Sequence, residues 1–268
     1  MPDPHAPTLL RWAGADADDA GATIAVTTRH GGISRPPYDT LNLGLHVGDD
    51  ARAVVANRAR AAAAFGVTLD DLVFARQVHG ASAVHVTAAD AGRGTTTEDD
   101  ALADTDILVT SDPGVTLVIL VADCVPLALV DPAAHVLASV HAGWRGTAAG
   151  AVGVALRAMA EHGGRAERVL AFVGPAVAPE RYQVGDEVRD ALFATAGLNG
   201  RAATVATPDG PGHWRVDLVA ANRLQLLAAG VAPERVFESG VTTADPALFS
   251  DRAARPCGRF GLLARLSA

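Results

Sequence analysis

Cys124 and His141 are the two residues whose types and spacing most directly indicate chemistry, because thiolate sulfur and imidazole nitrogen are both metal ligands. Between them lies Asp131–Ala134, a turn-like tetrad with proline in second position, flanked by apolar strand-like segments. If Asp131 pairs with Ala134, Cys124 and His141 form a direct cross-strand pair with Cβ atoms about 4.5 to 5.5 Å apart. One metal ion can bridge that gap, whereas a bulge or a longer loop would change the pairing.

A third ligand is predicted at His79, which lies at the end of a strand-like stretch just before Gly80. A turn there would present the imidazole to a cleft, and imidazole is the commonest metal ligand in proteins. Taken singly, a histidine is commonly a hydrogen-bonding residue and a free cysteine a small buried apolar one. Asp123 adds to the pattern, because a polar residue inside an apolar run costs free energy unless it has partners. Together, His79, Asp123, Cys124 and His141 predict a metal-binding site.

The stretch Gly143–Thr147 follows His141 and precedes a predicted helix, so its backbone amides and Arg145 favour an anion site. The simpler alternative is a helix cap with Arg145 at the surface. The glycine spacing does not match the dinucleotide pattern G-x-G-x-x-G, and the chain has no G-x-x-x-x-G-K-[ST] motif. Dinucleotide and P-loop binding are therefore excluded.

Composition narrows the function classes. The 268 residues are 49% hydrophobic and 19% charged, as in a soluble globular protein, and the net charge of -8 offers no basic surface for nucleic acid or membrane. The expected partner is a small molecule or another protein. All 22 basic residues are arginines, which excludes Schiff-base catalysis by lysine. Two cysteines exclude a disulfide framework, and the N-terminal residues do not resemble a signal peptide, so we expect a cytoplasmic protein.

Strand-like and helix-like segments alternate along the chain, which predicts an α/β or α+β fold with a layered, mixed β-sheet core flanked by helices. The predicted helices run from Asp49 or Asp50 to about Phe65, from Thr147 to Gly163, and over Asp186–Ala196 and Val216–Ala229. The predicted strands are Thr23–Thr28, Leu72–Val78, Ala83–Val86, Ile107–Thr110, Val115–Val130, Val136–His141, Val169–Val173, Val236–Ser239 and Phe260–Leu266. We expect Leu72–Val78 to pair with Ala83–Val86 around His79, and Asp90–Asp104 and Asn199–Gly212 to be loops.

Eight ordered motifs carry a resemblance to a known family. They are Thr27-Thr28-Arg29-His30-Gly31-Gly32, Leu41-Asn42-Leu43-Gly44, His46-Val47-Gly48-Asp49, Asn57-Arg58, Gln77-Val78-His79-Gly80, Ala122-Asp123-Cys124-Val125-Pro126, His141-Ala142-Gly143-Trp144-Arg145-Gly146 and Gly174-Pro175. In this order they resemble the multicopper polyphenol oxidase (laccase-domain) family, which includes purine nucleoside phosphorylase-like enzymes and the peptidoglycan editing factor. The resemblance covers nearly the whole chain.

The resemblance implies one domain over residues 1–268, with a layered fold akin to the catalytic domain of cytotoxic necrotizing factor. It also implies a zinc ion held by His79, Cys124 and His141, with copper the less favoured metal. The implied activity is phosphorolysis of adenosine, inosine and methylthioadenosine, with adenosine deamination as a further reaction. Three protein ligands leave a fourth position open, as in catalytic zinc sites. The implied partners are a nucleoside and phosphate, and the expected assembly is a monomer or homodimer.

Further roles follow from that activity. Asp123 is the predicted proton shuttle, beside the metal-bound Cys124. Arg29, Arg58 and Arg145 are predicted to hold phosphate, because guanidinium groups match its oxygens. Asn42 and Gln77 are predicted to contact ribose hydroxyls or base edges. Each of these five substrate residues could equally form an ordinary surface ion pair or loop cap.

Three alternatives stay open. Cys124 could be the nucleophile of an amidohydrolase acting on cell-wall peptides, with His79 or His141 as base. A copper-dependent polyphenol oxidase is implied by the family name, although nine scattered histidines lack paired His-x-His motifs. The metal site could also be purely structural. The family pattern Phe-Ser-(Tyr or His)-Arg-Arg is replaced here by Phe249-Ser250-Asp251-Arg252-Ala253, and Val241-Thr242 replaces Cys-Thr, which puts the family's substrate range in doubt.

Overall fold

Fourteen strands and six α-helices are present in the computed structural model, which describes residues 6–12 and 20–268. The strands are β1 (Leu9–Arg11), β2 (Ala22–Thr27), β3 (Leu72–Phe74), β4 (Ala83–His85), β5 (Ile107–Thr110), β6 (Thr116–Val121), β7 (Val125–Asp131), β8 (Val136–Ala142), β9 (Leu170–Val173), β10 (Gln183–Gly185), β11 (Ala206–Pro208), β12 (His213–Val216), β13 (Val236–Glu238) and β14 (Phe260–Leu266). The helices are α1 (Ala51–Phe65), α2 (Trp144–Ala148), α3 (Ala151–Ala160), α4 (Asp186–Phe193), α5 (Ala202–Val205) and α6 (Leu218–Ala228).

Two large mixed sheets form the centre of the fold. One has the strand order β1-β2-β14-β6-β3 and the other the order β13-β9-β7-β8-β5-β4, while β10-β12-β11 forms a small third sheet. Apolar side chains from both large sheets share one buried cluster, which places the sheets face to face. The outer face of the five-stranded sheet packs against α1, and that of the six-stranded sheet against α3 and α6. The predicted mixed, layered α/β fold is confirmed.

Strand β7 shows why the central strands are apolar throughout. Leu127 and Leu129 lie in the cluster beneath the helices, whereas Ala128 and Val130 lie in the cluster between the sheets. Both faces of the strand are therefore buried, and its sequence lacks the polar alternation of a strand with one solvated face.

Helix α1 begins and ends at the capping residues that its sequence predicts. The Asp50 side chain accepts a hydrogen bond from the Arg52 backbone N–H at 2.9 Å and so caps the first turn. Gly66 ends the helix with φ 100°, the left-handed conformation that glycine adopts at little cost. The predicted bounds of this helix, and those of the terminal strand β14, are confirmed.

The predicted strand Val115–Val130 is wrong as a single element. The chain breaks at residues 122–124, so that β6 lies in the five-stranded sheet and β7 in the six-stranded sheet. Asp123 has φ 91°, which turns the backbone out of the first strand. The apolar run is continuous because both strands are buried, so hydrophobicity alone did not reveal the crossover.

The predicted pairing of Leu72–Val78 with Ala83–Val86 is also wrong. Strand β3 lies parallel to β6 in one large sheet, and β4 lies parallel to β5 in the other. The intervening residues 75–82 are therefore a second crossover between the sheets, and His79 lies on it with φ 62°. The polar segment after it was read correctly as irregular, since residues 91–104 form turns and bends.

The β7–β8 hairpin has a different register from the one predicted. Asp131 pairs with Val136 rather than Ala134, so the loop is Pro132–His135, with His135 at φ 54°. His141 consequently pairs with Pro126, and Cys124 precedes the strand instead of facing His141 directly. The shift of two residues keeps the same face of the sheet, which is why the two side chains still meet.

Smaller corrections concern the helices. The helix expected to begin at Thr147 is split, with α2 beginning at Trp144 and α3 following Gly150, whose φ is 74°. Thr147 is buried in α2, where its hydroxyl accepts a hydrogen bond from Asn222 at 3.0 Å. The expected loop Asn199–Gly212 contains α5 and β11. No helix in the described ranges is long and apolar enough to cross a membrane.

Candidate metal centre and its pocket

Three chain segments bring His79, Cys124 and His141 together. His79 and Cys124 lie on the two crossovers between the large sheets, and His141 lies in β8 one residue before its end. One ligand atom from each side chain lies within 4.8 Å of the others. The imidazole rings are edge to face, with centroids 4.8 Å apart. The three residues predicted as metal ligands therefore form one cluster.

A single buried carboxylate organises both histidines. Asp106 Oδ1 lies 2.7 Å from His141 Nδ1 and also accepts the backbone N–H of His79 at 3.0 Å. Its Oδ2 accepts the backbone N–H groups of Gly80 at 2.7 Å and Val78 at 3.3 Å. Because Nδ1 of His141 is engaged by Asp106, Nε2 is the nitrogen available to a metal or to Cys124.

The Cys124–His141 pair is strongly polarised. Burial alone raises the pKa of the Cys124 thiol, but the charge of His141 and hydrogen bonds from His141 and His79 outweigh it and lower the pKa to about 6. Burial likewise lowers the pKa of His141, but the Cys124 thiolate and Asp106 raise it to about 9. Without a metal, the pair is thus a thiolate beside an imidazolium at neutral pH.

Gly143 leaves room for the cluster. A Cβ atom at this position would lie 2.8 Å from Cys124 Sγ and 3.2 Å from His79 Cδ2. Real Cβ atoms do not approach so closely, so any larger residue would displace the sulfur or the imidazole. The glycine after β8 is therefore required by the packing of the ligands.

The cluster opens into a cavity of about 500 Å³. Six arginines line it, in a protein whose net charge is -8: Arg58, Arg76, Arg145, Arg252, Arg255 and Arg259. Glu98, Asp123 and Asp251 are the acidic residues in the lining. A smaller adjoining cavity of about 360 Å³ shares His46, Asp251, Arg255 and Arg259 with it. The surplus of positive charge makes this pocket suited to an anionic ligand.

Two of the residues predicted to bind substrate lie away from this pocket. Arg29 is not in its lining; it pairs with Asp39 at 3.2 Å and stacks over Phe249 at 4.7 Å. Asn42 is fully buried and bonded to Asp49 and to the Arg259 backbone N–H. Both side chains hold loops together, and their contact with substrate stays a prediction.

The other three predicted substrate residues do line the pocket. Arg58 is buried over the Phe74 ring, and it donates to the carbonyls of residues 43, 94 and 95. Burial lowers its pKa to about 9, so it remains charged at neutral pH. Gln77 uses both ends of its amide on the Leu120 backbone, at 2.8 Å each. Arg145 is exposed to the pocket and stacks over Trp144 at 4.2 Å.

Asp123 lines the pocket, but three donors hold its carboxylate. Thr243 and Ser250 donate their hydroxyls to Oδ1, and the Arg252 backbone N–H donates to Oδ2 at 2.6 Å. The residue beside Cys124 thus anchors the C-terminal segment against the cluster. Its proposed part in proton transfer stays a prediction.

Sequence reasoning missed Asp106, which holds the two histidines from behind, and four residues that line the pocket: Tyr182, Arg252, Arg255 and Arg259. Asp106 directly precedes a buried strand, as polar site residues often do, but nothing local showed that it faces His141. Tyr182 and the C-terminal arginines come from distant segments. Motif spacing contained no signal for either group.

The comparison with known families agrees with this geometry. The model of the family described as multi-copper polyphenol oxidoreductase laccase matches residues 23–267. The chain belongs to this family. The resemblance inferred from the ordered motifs is thereby confirmed.

Members of the laccase-like family match over nearly their full lengths. Purine nucleoside phosphorylase YlmD of Geobacillus stearothermophilus is 41% identical over 253 residues, covering 93% of this chain and 91% of the relative. Adenosine deaminase RL5, from an unknown prokaryotic organism, is 38% identical over 219 residues, covering 82% and 83%. The crystal structure of YlmD from G. stearothermophilus superposes with a TM-score of 0.92 at 37% identity, covering 97% and 96%.

Asp251, at the position where the resemblance implied tyrosine or histidine, lines the pocket. It pairs with Arg255 at 2.6 Å and with Arg259 at 3.4 Å. Two of the six pocket arginines are thus partly neutralised by Asp251. Arg252 is not involved in these pairs.

Proposed function

We propose that this protein is a zinc-dependent purine nucleoside enzyme that carries out phosphorolysis of adenosine, inosine and methylthioadenosine, with adenosine deamination as a second activity. The observation that carries the proposal is the His79–Cys124–His141 cluster in the wall of an arginine-lined pocket. The names of full-length relatives, a purine nucleoside phosphorylase and an adenosine deaminase, support the same substrate class.

The donor set fits zinc. Two imidazole nitrogens and one thiolate sulfur are ligands that zinc prefers, and Gly143 leaves the space that the three side chains need. Zinc held by His79, Cys124 and His141 would supply Lewis-acid chemistry to water or substrate in the pocket. Asp106 fixes the ring of His141 from the opposite nitrogen, as carboxylates commonly do behind metal-bound histidines.

Phosphorolysis requires the pocket to hold two reactants. An oxygen of hydrogen phosphate forms a bond to ribose C1′ while the bond from C1′ to the purine N9 breaks, and its electron pair remains on the purine. The proton of hydrogen phosphate ends on the base, giving ribose 1-phosphate and the free purine. Positive charge from the pocket arginines holds the phosphate dianion next to C1′.

Deamination exchanges one substituent of the purine. Water adds at C6 and ammonia leaves, so adenosine becomes inosine without phosphate. A group that accepts a proton from the incoming water and returns it to the leaving ammonia assists both steps. Asp123, beside Cys124, is the candidate for this transfer.

The experiment is to incubate purified protein of known metal content with adenosine, inosine and methylthioadenosine, each with and without phosphate. Phosphate-dependent release of free base supports phosphorolysis, and inosine formed from adenosine without phosphate supports deamination. His79→Ala should abolish both, whereas His85→Ala, an exposed histidine outside the pocket, should leave them intact. No turnover of any nucleoside by zinc-loaded protein would refute the proposal.

A cysteine amidohydrolase acting on peptidoglycan precursors is the second candidate, favoured by the lowered pKa of Cys124 beside protonated His141. The thiolate would attack an amide carbonyl, His141 would protonate the leaving amine, and water would then hydrolyse the thioester. Metal analysis separates the two candidates. One zinc per chain, lost in Cys124→Ala, favours the nucleoside enzyme; metal-free protein that cleaves cell-wall peptides favours the hydrolase.

A copper-dependent polyphenol oxidase is the reading that the family description suggests. Multicopper chemistry needs several metal sites, and the described ranges contain one cluster of three or more potential ligands. Oxidation of phenols by copper-loaded protein, with none by zinc-loaded protein, would establish this activity instead.

A further inference from the structure

Two arginines of the pocket differ from the other four in their partners. Neither Arg145 nor Arg252 has a carboxylate within ion-pair distance or a side-chain hydrogen bond among residues 6–12 and 20–268, and both are exposed to the pocket. The other four are engaged: Arg58 with backbone carbonyls, Arg76 with Asp104, and Arg255 and Arg259 with Asp251. Arg145 and Arg252 therefore present guanidinium groups that are available to a ligand.

Aromatic stacking orients both groups. The guanidinium of Arg145 lies 4.2 Å from the ring centroid of Trp144, and that of Arg252 lies 5.1 Å from the centroid of Tyr182. Stacking on a ring leaves the N–H donors at the edge of the guanidinium plane unused and limits the rotamers of the side chain. Such preorganisation reduces the entropy lost when an anion binds.

The backbone connects both arginines closely to the cluster of His79, Cys124 and His141. The backbone N–H of Arg252 donates to Asp123, the neighbour of Cys124, at 2.6 Å. Arg145 lies two residues after Gly143, which is so close to Cys124 that an added Cβ would lie 2.8 Å from its Sγ. Their positions are thus fixed relative to the cluster from two independent segments of the chain.

Tyr182 lines the same pocket as the two arginines, and its ring lies against the guanidinium of Arg252. The hydroxyl forms no hydrogen bond with any other residue in the described part of the chain. Tyr182 therefore adds a third donor without a protein partner to this part of the pocket lining.

We propose that Arg145, Arg252 and the hydroxyl of Tyr182 form the binding site for inorganic phosphate, the co-substrate of phosphorolysis. This proposal rests on the proposed function. Two guanidinium forks and one hydroxyl match the charge and the several oxygens of a phosphate dianion. The three side chains line the same pocket as His79, Cys124 and His141, so phosphate bound to them would share this pocket with the nucleoside. Arg255 and Arg259 are not assigned to the phosphate site, because both already form ion pairs with Asp251.

The test is calorimetric titration of inorganic phosphate into zinc-loaded wild-type protein and into Arg145→Gln, Arg252→Gln and Tyr182→Phe. Each arginine variant should bind phosphate about 10- to 100-fold more weakly, the loss expected for one or two charge-assisted hydrogen bonds. Tyr182→Phe should lose less. Arg189→Gln is the matched control, because Arg189 also stacks on a tryptophan, at 4.5 Å, but lies outside the pocket.

A kinetic readout separates this proposal from the proposed function. In the arginine variants the KM for phosphate should rise by a similar factor, while phosphate-independent deamination of adenosine keeps its kcat. Conservative Arg252→Lys should restore part of the affinity, which a merely misfolded variant would not do. If wild-type protein shows phosphorolysis but these variants keep the phosphate KM, the subsite is wrong and the function stands. If wild-type protein neither binds nor uses phosphate, both fail.

Discussion

Asp106 and His141 form a buried hydrogen bond of 2.7 Å between Oδ1 and Nδ1. The same carboxylate holds the backbone of His79 and its two neighbours, so one side chain fixes two of the three proposed metal ligands. The carboxylate contacts no substrate-facing atom directly, and its effect on chemistry passes through the histidines. Asp106 is therefore a positioning residue.

Asp106→Asn should weaken zinc binding by about 10- to 100-fold, the usual cost of removing a carboxylate behind a metal-bound histidine. An amide keeps one acceptor, but its NH2 group would face the Gly80 backbone N–H. Competition with a chromophoric chelator measures the affinity directly, without reference to turnover. Asp99→Asn, at an exposed loop position, is the control. Equal zinc affinities in both variants would show that Asp106 does not position the zinc ligands.

Gly143→Ala should lower both zinc affinity and stability, because the added Cβ would lie 2.8 Å from Cys124 Sγ. Gly153→Ala is its matched control: Gly153 is inside helix α3, where the added Cβ would meet only the Arg157 guanidinium, at 3.4 Å. That change should be neutral or stabilise the protein by up to about 1 kcal/mol, as alanine favours helix. Zinc content and thermal midpoint should both fall in Gly143→Ala, whereas Gly153→Ala should keep its zinc content and keep or raise its thermal midpoint.

The free energy of unfolding should fall at low pH because the Asp131 carboxylate becomes protonated. Burial alone raises the pKa of its carboxyl, but hydrogen bonds from Arg168 and the backbone of Arg165 and Ala134 outweigh it and lower the pKa below its ordinary value. The stabilisation is therefore complete at neutral pH and is lost as the pH falls below about 4, where the unfolded chain takes up the proton.

Asp131→Asn should accordingly cost about 2 kcal/mol at pH 7, as for a buried carboxylate that loses charge-assisted hydrogen bonds to a partly exposed arginine, and less at pH 3. Urea unfolding at both pH values gives the difference. Asp70→Asn, at an exposed position, should cost little at either pH. A cost for Asp131→Asn that is independent of pH would show that the carboxylate charge is not what stabilises the hairpin.

Removing the metal should expose a reactive thiolate. Iodoacetamide should modify Cys124 in chelator-treated protein down to a pH of about 6, because its pKa is lowered to that value, and zinc should protect it. Cys257 is the internal control, since it is buried and burial raises its pKa. Mass mapping of the labelled peptides distinguishes the two. Equal labelling with and without zinc would exclude Cys124 as a ligand.

Asp123→Asn distinguishes two roles of Asp123: anchoring the segment that carries Arg252, and transferring a proton in deamination. We expect a higher KM for phosphate, because an amide NH2 cannot accept from the Arg252 backbone N–H and the segment carrying Arg252 would shift. Deamination kcat should change little. A fall in deamination kcat of about 10²- to 10⁴-fold with an unchanged phosphate KM would instead assign proton transfer to Asp123.

The parts of the fold and site that were predictable from sequence depend on local signals. Helix α1 follows from Asp50 and Gly66, and the metal ligands from their types within ordered motifs. The crossover at Asp123 was missed because the apolar run is buried on both sides of the break, and the sheet change is set by distant pairing.

Contacts across long separations in sequence account for arrangements that the sequence did not reveal. Asn42 bonds to the backbone of Arg259, 217 residues away, and Asp106 to His141, 35 residues away. Arg29 was assigned to phosphate because guanidinium groups suit that ligand; in the structure it pairs with Asp39. Residue type indicates what a side chain can bind, whereas the tertiary fold decides what lies within its reach.

Because His79 and Cys124 lie on the two crossovers, binding of the proposed metal ion would depend on how the two large sheets pack against one another. Each crossover has one end in each sheet, so sliding of the sheets would pull the ligands apart. By thermodynamic linkage, an ion held there stabilises the face-to-face packing by the same free energy with which the packing favours the ion. Substitutions in the apolar layer between the sheets, far from any ligand, should therefore change metal affinity, and loss of the ion should loosen that layer first.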